Sequence, residues 1–218
     1  TRVSGTGRLR ISSSSSTAVF PGGDFGNFLS KGGGVVDYYS TETTGQTTFT
    51  LPATYVSGPN TINITGYNNL VLSPGTAKNI VLPNTDLHIF DDLTISGNGI
   101  SQLNILASTR TVEVDSSLVV ISGTLRYMNG NNTAQNIVVY GNISIADGAV
   151  FDVNTTGTAT NLLTIHGSLA NNGTFFFDEV ANLSLNIQAK LLRVIQEREC
   201  MKVGDQKKIK LDIRIISA

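Results

Sequence analysis

The sequence predicts a mostly β protein. A parallel β-helix, or solenoid, spans residues 1–174, and a short α/β tail with one helix near 184–199 spans residues 175–218. Three observations predict it. Short β-branched runs recur between clusters of Asn, Gly, Ser and Pro, the pattern of many short strands. An apolar-x-Gly phrase returns at Gly66, Gly97, Gly123, Gly141 and Gly167, at uneven intervals of which the step from Gly123 to Gly141 is the shortest. The composition then changes: 20 of 22 glycines precede Gly173, whereas Lys plus Arg number 7 in residues 1–172 and 8 in residues 173–218. Two compositions in one chain predict two folds.

Residues 1–20 contain GTGRLRI, in which Leu9 and Ile11 alternate with Arg8 and Arg10, a strand with one wet face. The Ser12–Ser16 run offers little to bury. Glycines at 22, 23, 26 and 32–34 break the next stretch into turns, and Val35, Val36, Tyr38 and Tyr39 form a strand. Phe20, Phe25 and Phe28 plug an end of the core or pack beneath this loop; a sugar platform is the alternative reading of the cluster. From Thr47 onward the runs are Thr48–Leu51, Thr61–Ile64, Leu70–Leu72, Ile80–Leu82, Leu87–Phe90, Leu93–Ile95, Leu103–Leu106, Thr111–Val114, Leu118–Ile121 and Leu125–Tyr127.

The glycines favour a solenoid over a β-sandwich, which stays as the alternative. Irregular spacing around two dozen positions fits coils of variable turn length stacked in one direction. Glycine at a corner permits a turn that would strain other residues. At a little over 20 residues per coil, the first part holds roughly seven or eight coils. Each coil sends residues such as Ile143 and Ile145, or Leu163 and Ile165, into a shared interior.

The net charge of −1 directs the whole chain toward neither nucleic acid nor an anionic membrane. No run approaches the roughly 20 apolar residues of a membrane span. Cys200 is the only cysteine, so no intrachain disulfide is available. A cysteine-free, Thr/Asn/Gly-rich first part suits an exported protein held together by backbone pairing. The chain starts at Thr1 and stops at Ala218 within an apolar run, and it reads as a fragment of something longer.

GTGRLRISSSS, FPGGDFGNFLSKGGGVVDYYST and the repeated glycine phrase ending in NNGTF resemble repeat regions of large surface or secreted proteins of Bacteroidetes-type bacteria, which are adhesin-like β-solenoids. The resemblance implies a non-catalytic, secreted or cell-surface scaffold with a carbohydrate or protein ligand. A carbohydrate-active β-helix is a further reading. It would need clustered acids and bases on one face, and the best candidate is His88 with Asp91 and Asp92. On a strand, Asp91 and Asp92 point to opposite faces and make a poor acid pair. His166 falls in a repeat slot held elsewhere by Tyr140, Ser122, Ser96 and Thr65, a solvent-facing corner. Asp24 and Asp147 stand beside glycines, where turn formation accounts for them better than calcium. Asn142–Ser144 and Asn154–Thr156 match the glycosylation acceptor pattern, which a chain rich in Asn and Thr produces by chance.

The tail has another grammar. Phe175, Phe176 and Phe177 form an apolar strand ending in Asp178 and Glu179, the pattern of a buried parallel strand with acids at its carboxyl end. Leu185, Ala189, Leu192 and Ile195 lie at helical spacing, with Gln188, Arg193, Glu197 and Arg198 on the wet side. Asn182 or Ser184 caps the start. A turn around Gly204 and Asp205 leads to a strand over Lys210–Ile216.

GTFFFDE, LNIQAKLLRVIQERE, KVG and IKLDIRIISA resemble the central AAA+ ATPase module of bacterial sigma-54-dependent transcription activators. The resemblance implies that Phe175–Glu179 is the Walker B element. Asp178 would hold Mg²⁺ through water, and Glu179 would polarise the water attacking ATP, as phosphoryl transfer requires. It also implies sigma-54 RNA polymerase as partner and a cytoplasmic parent. The departures are physical. The chain contains no G-x-x-x-x-G-K-[ST] to cradle phosphates, and the family's sigma-54 contact loop lies upstream, where this chain carries solenoid. Val180–Ser184 replaces the usual I-G-E-L-P. No cofactor and no ATP hydrolysis are expected of this chain; Mg-ATP enters by resemblance of the tail alone. The two resemblances meet inside NNGTF, so a chimera of two unrelated genes is expected. The functional readings are an adhesin-like solenoid fragment and, alternatively, a truncated sigma-54-dependent regulator.

Overall fold

The computed structural model describes residues 2–43, 46–103, 109–127, 133–152 and 161–176, and in the tail residues 189, 192–193, 196–197, 199–201 and 208–210. The chain divides into two compact units, Thr1–Phe176 and Phe177–Ala218.

The first unit is a parallel β-helix with three faces. The first face has seven strands: β1 (Arg8–Ile11), β2 (Val35–Tyr39), β7 (Asn69–Ser73), β10 (Leu93–Ile95), β13 (Leu118–Val120), β16 (Ile143–Ile145) and β19 (Leu169–Asn171), paired in that order. The second has six: β3 (Thr48–Thr50), β8 (Asn79–Val81), β11 (Ile100–Gln102), β14 (Thr124–Arg126), β17 (Val150–Asp152) and β20 (Thr174–Phe176). The third has five: β6 (Gly66–Tyr67), β9 (Leu87–Ile89), β12 (Arg110–Val114), β15 (Gln135–Val139) and β18 (Leu162–Ile165). From β7 onward the chain visits first, second and third face in turn. Outside this path, β4 (Thr54–Ser57) and β5 (Asn60–Asn63) form an antiparallel hairpin.

The solenoid makes about six turns, against the seven or eight expected. Coils run longer than the length estimate assumed, as the single-coil steps from Leu93 to Leu118 and from Leu118 to Ile143 show. The hairpin and the aromatic loop also leave the coil path. A strand lies at Ile100–Gln102, and the one expected at Leu103–Leu106 falls, beyond Leu103, outside the described residues.

Period-two alternation explains the interior. On the first face Leu70, Leu93, Leu118 and Ile143 stack in one column and Leu72, Ile95, Val120 and Ile145 in the next, each 0–1% exposed. The third face adds Ile89, Val114 and Val139. Each such side chain contributes about 1.5–3 kcal/mol on burial, but only with coils above and below. The last coil shows this dependence. Leu169 registers with the fully buried Ile143, yet it is 41% exposed.

Of the two expectations for Phe20, Phe25 and Phe28, packing beneath the glycine loop is present. All three are buried with Tyr55, in edge-on or tilted ring contacts of 5.0–6.2 Å. The short helix α1 (Gly26–Leu29) carries Phe28 and Leu29 inward. Gly34 is required here: a Cβ on it would fall inside the Phe28 ring. The glycines at 22–34 thus shape a packed loop.

The recurring glycines mark two corners rather than one. Gly97 and Gly123 follow first-face strands β10 and β13 with φ of +93° and +69°, in the left-handed region that favours glycine. Gly141 and Gly167 follow third-face strands β15 and β18, where the Gly141 N–H donates to Ser116 O at 2.9 Å and a Cβ would collide with that oxygen. Gly66 lies within β6. The short step from Gly123 to Gly141 is the passage from one corner to the other.

In the second unit, β21 (Glu199–Met201) and β22 (Lys208–Lys210) pair antiparallel, flanking the expected turn. Ala189, Leu192, Arg193, Gln196 and Glu197 are helical and exposed. Glu199, the last residue of the helix expected near 184–199, opens β21 instead, and the remaining residues of that span lie outside the described ones.

Candidate functional site

The corner between the third and first faces gathers the polar and aromatic residues that stand out in the sequence. Register places Asn68, Phe90, Asp115, Tyr140 and His166 in one column along it, because Ile89, Val114, Val139 and Ile165 pair just before them. His166 therefore shares its slot with Tyr140, and their rings stack at 4.9 Å with planes 10° apart. It does not share a slot with Ser96 and Ser122, which belong to the other corner.

His88 does not meet Asp91 or Asp92. Its Nε2 lies 2.7 Å from Asp115 Oδ1, one coil on, and its ring lies 4.4 Å from that of Phe90. Asp115 Oδ2 is 3.9 Å from Lys31 Nζ, an ammonium 78% exposed. Such exposed pairs contribute about 0–1 kcal/mol. Asp91 Oδ2 accepts from Asn69 Nδ2 at 3.0 Å. Asp92 Oδ1 accepts from the Ser117 N–H at 2.9 Å. The candidate acids are thus committed to separate neighbours, and no shared proton-transfer geometry joins them.

Asp92 belongs to a ladder of side-chain oxygens capping corner amides. Asn69 Oδ1 accepts from the Asp92 N–H at 3.1 Å, and Asn142 Oδ1 accepts from the Ser168 N–H at 2.9 Å. Asn142, read from its triplet as a chance glycosylation match, therefore has a structural task. Asn154 lies outside the described residues. Asp24 Oδ1 accepts from the Gly26 N–H at 3.2 Å, and Gly148 after Asp147 has φ +75°; both acids make turns. Among the described residues no three His, Cys, Asp or Glu side chains converge as a metal site.

Sequence reading missed Asp37. It is 2% exposed on β2, yet it accepts from Arg10 Nε at 2.9 Å and Ser73 Oγ at 3.0 Å, and Ser73 meets Ser96 at 2.9 Å. The paired ionic and hydrogen-bonded partners are what allow a carboxylate to be covered there. Arg10 and Asp37 are 27 residues apart, so only register reveals the pair.

Asp178 and Glu179 lie outside the described residues. The strand leading to them is described: β20 is the last rung of the second face, with Phe151 registered to Phe175 and Asp152 to Phe176. Among the described residues it has β17 on one side and no strand on the other, unlike a Walker B strand buried between neighbours. No described helix is long and apolar enough to cross a membrane.

The fold thus defines a parallel β-helix, and the comparisons add a second relationship at its carboxyl end. The family described as Sigma-54 interaction domain matches residues 147–218, a range that begins within the last coils. Transcriptional regulatory protein FlgR of Helicobacter pylori is 55% identical over 49 residues, 22% of this chain and 13% of that protein. Nif-specific regulatory protein of Azospirillum lipoferum is 56% identical over 50 residues, 23% of this chain and 8% of that protein. Anaerobic nitric oxide reductase transcription regulator NorR of Escherichia fergusonii is 48% identical over 50 residues, 23% and 10% respectively. The chain therefore spans about a tenth of the length of these relatives. No solved structure matches it.

Proposed function

We propose that this chain carries a fragment of a sigma-54-dependent transcription regulator, the Walker B region of its AAA+ motor, behind a β-solenoid. The observation that supports this most is the identity of about half the residues with three transcription regulators over one collinear stretch. In this reading Asp178 is the Mg²⁺ carboxylate, held through water, and Glu179 polarises the attacking water. Sigma-54 RNA polymerase is the partner of the parent protein, which acts in the cytoplasm. The chain alone hydrolyses no ATP, since it contains no glycine-lysine loop to hold the phosphates.

A segment exchange tests the reading. Residues 173–218 replace the matching segment of an intact sigma-54 activator. ATP hydrolysis should persist in the hybrid, and Glu179→Gln should lower it by about 100-fold or more while nucleotide binding persists. A folded hybrid without hydrolysis would refute the assignment.

A second reading applies to the solenoid. Its third-to-first corner presents fixed aromatic and polar side chains without a catalytic arrangement. In this reading the solenoid is a non-catalytic scaffold with a carbohydrate or protein ligand, and the resemblance of its repeats to adhesin-like proteins extends that to a secreted or cell-surface protein.

A further inference from the structure

We propose that the corner around Phe90 is a binding site for a neutral saccharide, an assignment that rests on the scaffold reading of the solenoid. Two clefts meet at this half-buried ring. One is bounded by Leu29, Tyr55, Ile64 and Gly66, the other by Lys31, Gly32, Asn69 and Asp91. Phe90 is the wall common to both.

The second cleft is pre-formed. Asn68 is 5% exposed, and its amide clamps the glycine loop: Gly32 N–H donates to Oδ1 at 2.8 Å and Nδ2 donates to Gly33 O at 2.9 Å. Gly32 itself has φ +79° and open space where a Cβ would stand. A wall fixed before binding spares the ligand the cost of ordering it.

The chemistry selects the ligand class. Phe90 offers an apolar ring for the C–H face of a sugar. Asp91 is exposed and oriented by Asn69 through one oxygen, which leaves the other for a hydroxyl. Lys31 lines the same cleft and supplies ammonium hydrogens. An oriented acceptor and a donor of opposite charge in one cleft suit hydroxyls, which both donate and accept. A strongly charged polymer would meet one of the two as a like charge. An added peptide strand needs an open sheet edge, and the backbone here is already paired: Asn69 N–H donates to Gly34 O and Asp91 N–H to Asn68 O.

Affinity electrophoresis of the full chain tests the site, using gels that contain dissolved β-glucan, mannan or xylan, with polygalacturonate as the charged comparison. At least one neutral polymer should retard the wild-type chain. Phe90→Ala and the surface variant Asp91→Ala should each weaken that retardation about tenfold, and Ile121→Ala, an exposed position at the other corner, should leave it unchanged, with unaltered circular dichroism for all three. Retardation that survives both Phe90→Ala and Asp91→Ala would overturn the site and leave the scaffold reading standing. Retardation by polygalacturonate alone would overturn the ligand class. Absence of any retardation, or capture only of peptides from an array, would overturn the site and its carbohydrate premise together.

Discussion

The phenolic oxygens of Tyr38 and Tyr67 lie 3.0 Å apart inside the solenoid, with both side chains 0% exposed. Burial pushes both phenols above their ordinary value of 10.0, and at Tyr38 the neighbouring Tyr67 adds to the effect. In the unfolded chain both ionise near pH 10. The folded state keeps its protons where the unfolded state has lost them, so stability is complete below pH 10 and falls as pH rises beyond it. Urea midpoints between pH 8 and 11 should be level and then decline. The double variant Tyr38→Phe, Tyr67→Phe should lessen that decline; Tyr127, buried and shifted the same way, retains part of it. Tyr67→Phe alone should cost about 1–3 kcal/mol, because it strands the Tyr38 hydroxyl. The double variant should cost less than the sum of the singles.

Asp92 serves through an acceptor oxygen rather than a charge. Its Oδ1 caps the Ser117 amide, and the equivalent atom of Asn142 caps Ser168. Asp92→Asn keeps an acceptor and should leave the melting curve nearly unchanged. Asp92→Ala and Asn142→Ala should each cost about 1 kcal/mol. Equal losses for Asp92→Asn and Asp92→Ala would show that charge, not capping, is what matters.

The solenoid was legible because parity of apolar residues survives in nearly every strand. Leu93–Ile95, Val112–Val114 and Ile143–Ile145 alternate inward and outward as the sequence requires. The corner identities were not legible. Ile-Ser-Gly after a first-face strand and Tyr-Gly or His-Gly after a third-face strand look alike in sequence, although one glycine needs positive φ and the other a bare approach to a carbonyl. The strand at Ile100–Gln102 was missed because its inward residue is Ser101, which breaks the apolar signal. The His88 site was half visible: the histidine drew notice, but its partner Asp115 is 27 residues away. The run Leu87–Ile89 registers with Val112–Val114. Aligning those two apolar-x-apolar triplets in the sequence would have placed the aspartate one coil on, at the same corner.

Position along the solenoid should set the cost of losing an inward side chain. Ile143 has coils on both sides and is 0% exposed, while its neighbour Leu169 is 41% exposed on the last coil. Ile143→Ala should cost about 2–5 kcal/mol, the range for a packed core position. Leu169→Ala should cost about 1 kcal/mol, since part of its surface is already in water. Denaturant midpoints at unchanged slope measure both. Equal costs would mean that the last coil is covered in solution.

Ser101 is the one break in an otherwise apolar column on the second face. It registers between Ile80 and Leu125, is 0% exposed, and its Oγ meets no hydrogen-bond partner among the described residues. A buried hydroxyl without a partner carries its desolvation cost uncompensated, about 1–3 kcal/mol. Ser101→Ala removes the hydroxyl and changes little else, so it should raise stability by about 1 kcal/mol, read as a higher urea midpoint at constant slope. Ser101→Val separates two causes. If the column holds unfilled space, Val adds burial and stabilises beyond Ala. If Ile80 and Leu125 already meet around the serine, the added methyl groups strain the coil by about 1–3 kcal/mol and Val falls below wild type. A loss of stability with Ala itself would show that the serine hydroxyl is satisfied in solution.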